Sequence, residues 1–236
     1  MTRTSLLKFC YILGFLLAAG CGDGKNGKPT APDAGPARQT PSETVAEPGH
    51  TILFFGNSLT AGLGVEPEQA FPGLIGKRLD SLAYPYRIIN AGLSGETTAS
   101  GVNRLDWVLR QPVDIFVLEL GANDGLRGIP LSETRQNLET IIRKVREANP
   151  RVQIILTGMQ LPPNMGPAYT AEFRELFPSL AQTYDLLLVP FLLEGVGGVP
   201  ELNQADGIHP TPEGHKILAE NVWKVLQPAL QPEFHK

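Results

Sequence analysis

Residues 56–64 read Gly56-Asn57-Ser58-Leu59-Thr60-Ala61-Gly62-Leu63-Gly64, a glycine-rich turn with a serine near its start. Three chemistries use such a turn. A dinucleotide loop needs a third glycine where Pro67 stands, and a phosphate loop needs a Gly-Lys-Ser/Thr that does not follow. A nucleophile turn needs a hydroxyl presented between small neighbours, and Ser58 meets that requirement. Threonine at position 60 means that the turn is not the Gly-x-Ser-x-Gly elbow.

A serine hydroxyl attacks only when a base removes its proton. The chain has four histidines to choose from. His50 and His235 lie near the ends of the apolar patterning and are poor candidates, and His215 falls inside the last helical stripe, where packing or surface explains it. His209 stands in Asp206-Gly207-Ile208-His209-Pro210, a turn in which a carboxylate three residues earlier can face the imidazole. Asp206 would hold one ring nitrogen and leave the other for Ser58. The same four-residue spacing also serves as an ordinary helix entry.

Acyl transfer develops an oxyanion that must meet pre-placed donors. Asn90-Ala91-Gly92-Leu93-Ser94-Gly95-Glu96-Thr97-Thr98 and Gly121-Ala122-Asn123-Asp124 each follow an apolar run. Gly92 offers a backbone N–H and Asn123 a side-chain amide. Gly, Asn and Asp are also common in plain turns. Four such loops at one sheet edge make the chemical reading the stronger one.

These loops need a scaffold that brings them together. Ile52-Leu53-Phe54-Phe55, Arg87-Ile88-Ile89, Ile115-Phe116-Val117-Leu118, Val152-Gln153-Ile154-Ile155-Leu156 and Leu186-Leu187-Leu188-Val189 are short, mostly continuous apolar runs. Continuous runs suit strands buried on both faces of a parallel sheet. Between them lie helical stripes, the clearest being Leu138, Ile141, Ile142 and Val145, which ends at Asn149-Pro150. The last helix is expected to begin at Thr211 as N-cap with Pro212 in its first position. The alternation predicts a three-layer α/β/α sandwich, flavodoxin-like, on a mostly parallel five-stranded sheet. In such sheets a ligand sits beyond the carboxyl ends of the strands.

With these blocks in order, residues 51–226 resemble the SGNH (GDSL) hydrolase family, and most closely its arylesterase, thioesterase and lysophospholipase branch. The resemblance implies an esterase with Ser58 as nucleophile, His209 as base and Asp206 as its orienter. It places the oxyanion on the backbone N–H of Ser58, on Gly92 and on Asn123. It implies no cofactor and no metal. One position departs: Asn57 stands where the family usually has aspartate, which puts in doubt the charge that this acid supplies. The apolar segments Gly128-Ile129-Pro130-Leu131 and 161–169 are read as loops on the catalytic edge. Ile129, Leu161, Met165 and Tyr169 would line an acyl channel there, or would pack as lids. A carbohydrate or peptidoglycan O-acetylesterase is the alternative enzyme. A ligand-binding surface lipoprotein without turnover is the alternative of another class.

Composition narrows the setting. The chain has 236 residues, 42% hydrophobic, with 20 Lys+Arg against 24 Asp+Glu. That balance gives no basic footprint for nucleic acid. Both cysteines, Cys10 and Cys21, fall before residue 22, which excludes a disulfide framework or a cysteine zinc site in the body of the chain. Arg3 and Lys8 precede the 12-residue apolar run Phe9 to Gly20, the pattern of a signal peptide and too short to span a bilayer. The run ends Leu17-Ala18-Ala19-Gly20-Cys21, which resembles a bacterial lipobox and implies a lipid on Cys21. Residues 22–49 hold five prolines and five glycines and no large hydrophobic, so they read as a tether with a reach of roughly 30 Å. The expected organisation is a signal peptide over 1–20, a lipidated cysteine and tether over 21–49, and one hydrolase domain over 50–232. The expected location is the cell envelope, at the outer membrane or periplasmic face, with the protein a monomer acting on a small-molecule or lipid ester.

Overall fold

The computed structural model describes residues 49–230. The expected signal peptide, Cys21 and nearly all of the tether lie outside these residues, as does the stretch from 231 onward.

Five strands form one parallel sheet: β1 (His50–Gly56), β2 (Tyr86–Gly92), β3 (Ile115–Glu119), β4 (Gln153–Thr157) and β5 (Leu187–Val189), in the order β2-β1-β3-β4-β5. The three inner strands are the continuous apolar runs. Every residue of β3 is buried, as are Ile52, Leu53, Phe54 and Phe55 of β1. Each such side chain contributes about 1.5–3 kcal/mol by leaving water. Among the described residues the outer strands β2 and β5 each pair on one side only, and both are partly exposed.

Among the described residues seven α-helices connect and flank the strands: α1 (Ser58–Ala61), α2 (Phe71–Ser81), α3 (Thr98–Val108), α4 (Ala122–Leu126), α5 (Leu131–Ala148), α6 (Pro167–Tyr184) and α7 (Pro212–Ala229). α2 packs with α7, whereas α3 packs with α5 and α5 with α6. Right-handed crossovers place these two groups on opposite faces of the sheet. The expected stripe of α5 is buried at Leu138, Ile141, Ile142 and Val145, and the helix ends at Asn149. Thr211 caps α7, its hydroxyl accepting from the Gly214 N–H, with Pro212 in the first turn. Among the described residues no helix is long and apolar enough to cross a membrane.

One segment differs from the sequence expectation. Residues 161–169 were expected as loop; instead Pro163–Met165 form a 3-10 turn and α6 begins at Pro167. Pro167 has its φ preset and no N–H to satisfy, which makes it a good first helical residue.

The strand order changes direction between β1 and β3. β1 leads outward to β2, whereas β3, β4 and β5 proceed the other way. The connections leaving β1 and β3 therefore diverge, and a crevice opens at their carboxyl ends. Ser58 follows β1 there, and Asn123 follows β3.

Candidate active site

Ser58 opens the one-turn helix α1. Asn57 caps this helix, its side-chain oxygen accepting from the Leu59 N–H at 3.0 Å. The turn faces residues 206–209. Asp206 Oδ1 accepts the backbone N–H groups of Ile208 and His209, each at 3.0 Å, which folds the chain back and turns the imidazole inward. Gln204 Nε2 fastens this turn to the serine loop by donating to Leu63 O at 2.7 Å and Pro210 O at 2.9 Å.

Three side chains thus fall in a line. His209 Nε2 lies 2.9 Å from Ser58 Oγ, and His209 Nδ1 lies 2.6 Å from Asp206 Oδ2. Asp206 is held well down, to about 2, first by the hydrogen bond from the His209 side chain and then by the two backbone N–H donors. It is therefore a carboxylate at neutral pH and fixes a proton on Nδ1, leaving the Nε2 lone pair toward Ser58. This arrangement can take a proton from the hydroxyl. His215 stands apart: it is buried on α7, accepts the Phe71 N–H on Nδ1 at 3.3 Å, and is pushed by burial down to about 4.

The donors around the serine are arranged differently from the sequence expectation. The Gly92 N–H donates to Asn90 Oδ1 at 2.9 Å, within its own strand end. Gly92 lacks a side chain because α1 passes close by: a Cβ there would collide with the backbone of Ala61. The next glycine of the same loop, Gly95, has a positive φ of 80° and its N–H donates to no protein atom among the described residues. Two consecutive carbonyls of this loop are fastened. Asn123 Nδ2 donates to Glu96 O at 3.0 Å, and Arg127 Nη2 donates to Gly95 O at 3.1 Å. Beneath it, Arg104 reaches the buried Glu96 carboxylate with both Nε and Nη2. Two glycines three residues apart in one loop gave no spacing signal to separate them.

The expected acyl-lining residues gather around α4. Leu161 packs against Gly125, and the Tyr169 hydroxyl donates to Ile129 O at 2.9 Å. Leu161 and Tyr169 are half-buried against the core, and Ile129 and Met165 are also half-buried. A groove of about 790 Å³ between α2 and β2, lined by Gly73, Tyr84 and Ile88, carries none of Ser58, Asp206 or His209.

Asn57, the departure noted in the sequence, is buried and donates through Nδ2 to Glu119 Oε1 at 2.7 Å. Glu119 ends β3 and has no solvent contact. Sequence reading passed over it, although an acid closing a fully apolar strand was a visible signal.

The chain is similar to known proteins. Residues 54–217 match the GDSL-like Lipase/Acylhydrolase family. The chain is 44% identical over 181 residues to Esterase TesA of Pseudomonas aeruginosa, covering 76% of this chain and 89% of that one. It is 37% identical over 179 residues to Thioesterase 1/protease 1/lysophospholipase L1 of Escherichia coli, covering 75% of this chain and 84% of the relative. The structure of the psychrotrophic esterase EstA from Pseudoalteromonas sp., inhibited by monoethylphosphonate, superposes with a TM-score of 0.72 at 30% identity, over 76% of this chain and 97% of that one. The non-catalytic reading is thereby set aside: the chain belongs to the GDSL-like lipase/acylhydrolase family and is an ester hydrolase.

Proposed function

We propose that the chain is a serine esterase that cleaves acyl esters and thioesters through an acyl-enzyme on Ser58. The observation that carries this reading is the unbroken relay from Ser58 Oγ to His209 Nε2, and from His209 Nδ1 to the Asp206 carboxylate. His209 takes the hydroxyl proton as Oγ bonds to the acyl carbon. The resulting oxyanion is met by the Ser58 N–H, the Asn123 amide and, in place of Gly92, the free N–H of Gly95. As the intermediate collapses, the bond to the leaving oxygen or sulfur breaks and His209 returns the proton to it. Water then adds to the acyl carbon, gives its proton to His209, and Ser58 leaves with that proton as the acid is released.

The surroundings favour a long acyl chain over acetyl. Three of the exposed large hydrophobics, Leu63, Leu93 and Ile208, lie on the loops that carry or touch the relay, and a fourth, Leu126, ends α4. Leu63 N–H donates to Ser58 O, Leu93 N–H donates to Gly56 O, and Ile208 precedes His209. Leu126 lies three residues after Asn123 on α4, whose Gly125 packs against Leu161, and the Tyr169 hydroxyl donates to Ile129 O just after the same helix. Lysophospholipase stands in the name of one relative, and a lipid ester is the substrate class proposed for this chain; the proposal includes a lipid anchor on Cys21 and a monomer in the cell envelope.

A fluorophosphonate probe tests the chemistry: wild-type protein should be labelled on Ser58, and Ser58→Ala should lose both labelling and turnover of p-nitrophenyl esters while staying folded. Turnover that survives in the variant rejects the assignment. A series of p-nitrophenyl esters from acetyl to dodecanoyl tests the chain length. A steep loss beyond acetyl would instead support the O-acetylesterase.

A further inference from the structure

Glu119 is a buried acid that the proposed reaction does not use. Its carboxylate meets donors only: the Asn57 N–H at 3.0 Å, Asn57 Nδ2 at 2.7 Å and Thr60 Oγ1 at 2.8 Å. Burial raises it to about 7, against the pull of these same hydrogen bonds. The groups acting on it come from Asn57 and Thr60, with no charged side chain among them. These two residues flank Ser58 at either end of the nucleophile turn.

We propose that Glu119 is a positioning residue for Ser58, setting the donor–acceptor polarity of the turn through Asn57 and Thr60. The proposal rests on Ser58 being the nucleophile. A backbone N–H can only donate, so the Asn57 atom facing Leu59 N at 3.0 Å is its oxygen, and its NH₂ must face Glu119. That same oxygen lies 3.4 Å from Ser58 Oγ, whereas His209 Nε2 lies at 2.9 Å. An Asn57 amide turned the other way would lose the cap, lose the carboxylate and place NH₂ against the serine. Glu119 prevents this by accepting twice from one residue.

The departure at position 57 follows from the same geometry. An aspartate there would set two carboxyls across one hydrogen bond, which then needs a shared proton. With asparagine the amide supplies the hydrogen, and the turn keeps its shape with Glu119 ionised.

A four-cornered comparison tests this: wild type, Glu119→Gln, Asn57→Asp and the double variant. In Glu119→Gln two NH₂ groups oppose each other. The expected result is a fall in kcat for p-nitrophenyl acetate of about tenfold or more with KM changed less than about twofold, the mark of a displaced nucleophile. Asn57→Asp should lose activity with rising pH where wild type does not, as the shared proton leaves. The double variant exchanges amide and carboxylate and satisfies every group again. It should recover to within about threefold of wild type, without the added pH dependence.

Single variants with wild-type kcat and pH profile would overturn the proposal, as would a folded double variant no better than the worse single. If Glu119→Gln cannot be recovered folded, the double variant decides: folded and active supports the role, unfolded rejects it. Fluorophosphonate labelling of wild type separates the two layers. An unlabelled wild type defeats the Ser58 reading itself, whereas a labelled wild type with unaltered variants defeats only the role of Glu119.

Discussion

His209 holds Asp206 at both of its carboxylate oxygens, with the ring at Oδ2, 2.6 Å away, and its own backbone N–H at Oδ1, 3.0 Å away. One carboxylate therefore shapes the turn and orients the imidazole. An Asp206→Asn change separates these jobs. The amide oxygen still accepts the two N–H groups, so the turn survives. The NH₂ then faces Nδ1, which must accept, and the ring proton moves to Nε2, where it opposes Ser58. The expected result is a loss of about 10³–10⁴ in kcat with the fold unchanged by circular dichroism. Activity within tenfold of wild type would mean that the carboxylate serves the turn alone.

Asn123 is placed by α4 so that one amide hydrogen meets Glu96 O at 3.0 Å and the other remains available. Asn123→Ala should lower kcat by about 10²–10³, with a much smaller change in KM, because the interaction matters mainly once the oxyanion forms. Steady-state kinetics on p-nitrophenyl butyrate measures the split. A rise in KM alone would place Asn123 in substrate binding.

The sheet was legible because β1, β3 and β4 are mostly apolar runs, buried except at His50 and Gln153, and α5 and α7 carry clear stripes and end signals. The short helices α1 and α4, of four and five residues, are too brief to show a helical period. The relay was legible because Ser58 and His209 sit in turns with few competitors for their roles. The choice between Gly92 and Gly95 was not, since it depends on Asn90 Oδ1 taking one N–H and leaving the other. Glu119 was missed for a related reason: the spacing of Asn57 and Glu119 carries no trace of a contact made 62 residues apart across β1 and β3.

His215 links stability to pH. Burial lowers its folded value from 6.5 to about 4, so as pH falls the unfolded chain takes up the proton first. Stability should therefore decline from about pH 6.5 downward, with the loss complete below about pH 4. The shift corresponds to something on the order of 3 kcal/mol. Glu119 slopes the other way: raised to about 7, it favours the fold at low pH and loses that contribution as pH climbs from 4.5 through 7. The two windows overlap, so a single stability curve hides both. The difference in urea midpoint between wild type and His215→Gln isolates the histidine. That difference should move in favour of the variant as pH drops from 7 to 4, and a difference that stays flat would mean that His215 titrates normally.

Arg104 ties the donor loop to the fold. Its Nε and Nη2 meet both oxygens of Glu96, whose side chain is fully buried; Nη2 also donates to Ala91 O at 2.7 Å, and the guanidinium stacks 4.1 Å over the Phe55 ring. Arg104→Ala leaves a buried carboxylate without a partner, a loss of about 3–5 kcal/mol. For a domain of this size that is a fall in Tm of about 10 °C. Replacing both partners by leucine removes the stranded charge, so most of the stability should return. Activity should not return with it, because the loop carrying Gly95 and Glu96 is no longer drawn onto α3. Thermal melts and kcat for p-nitrophenyl butyrate, measured on both variants, separate these effects. A double variant that regains full kcat would show that Asn123 and Arg127 hold the loop without help from the ion pair.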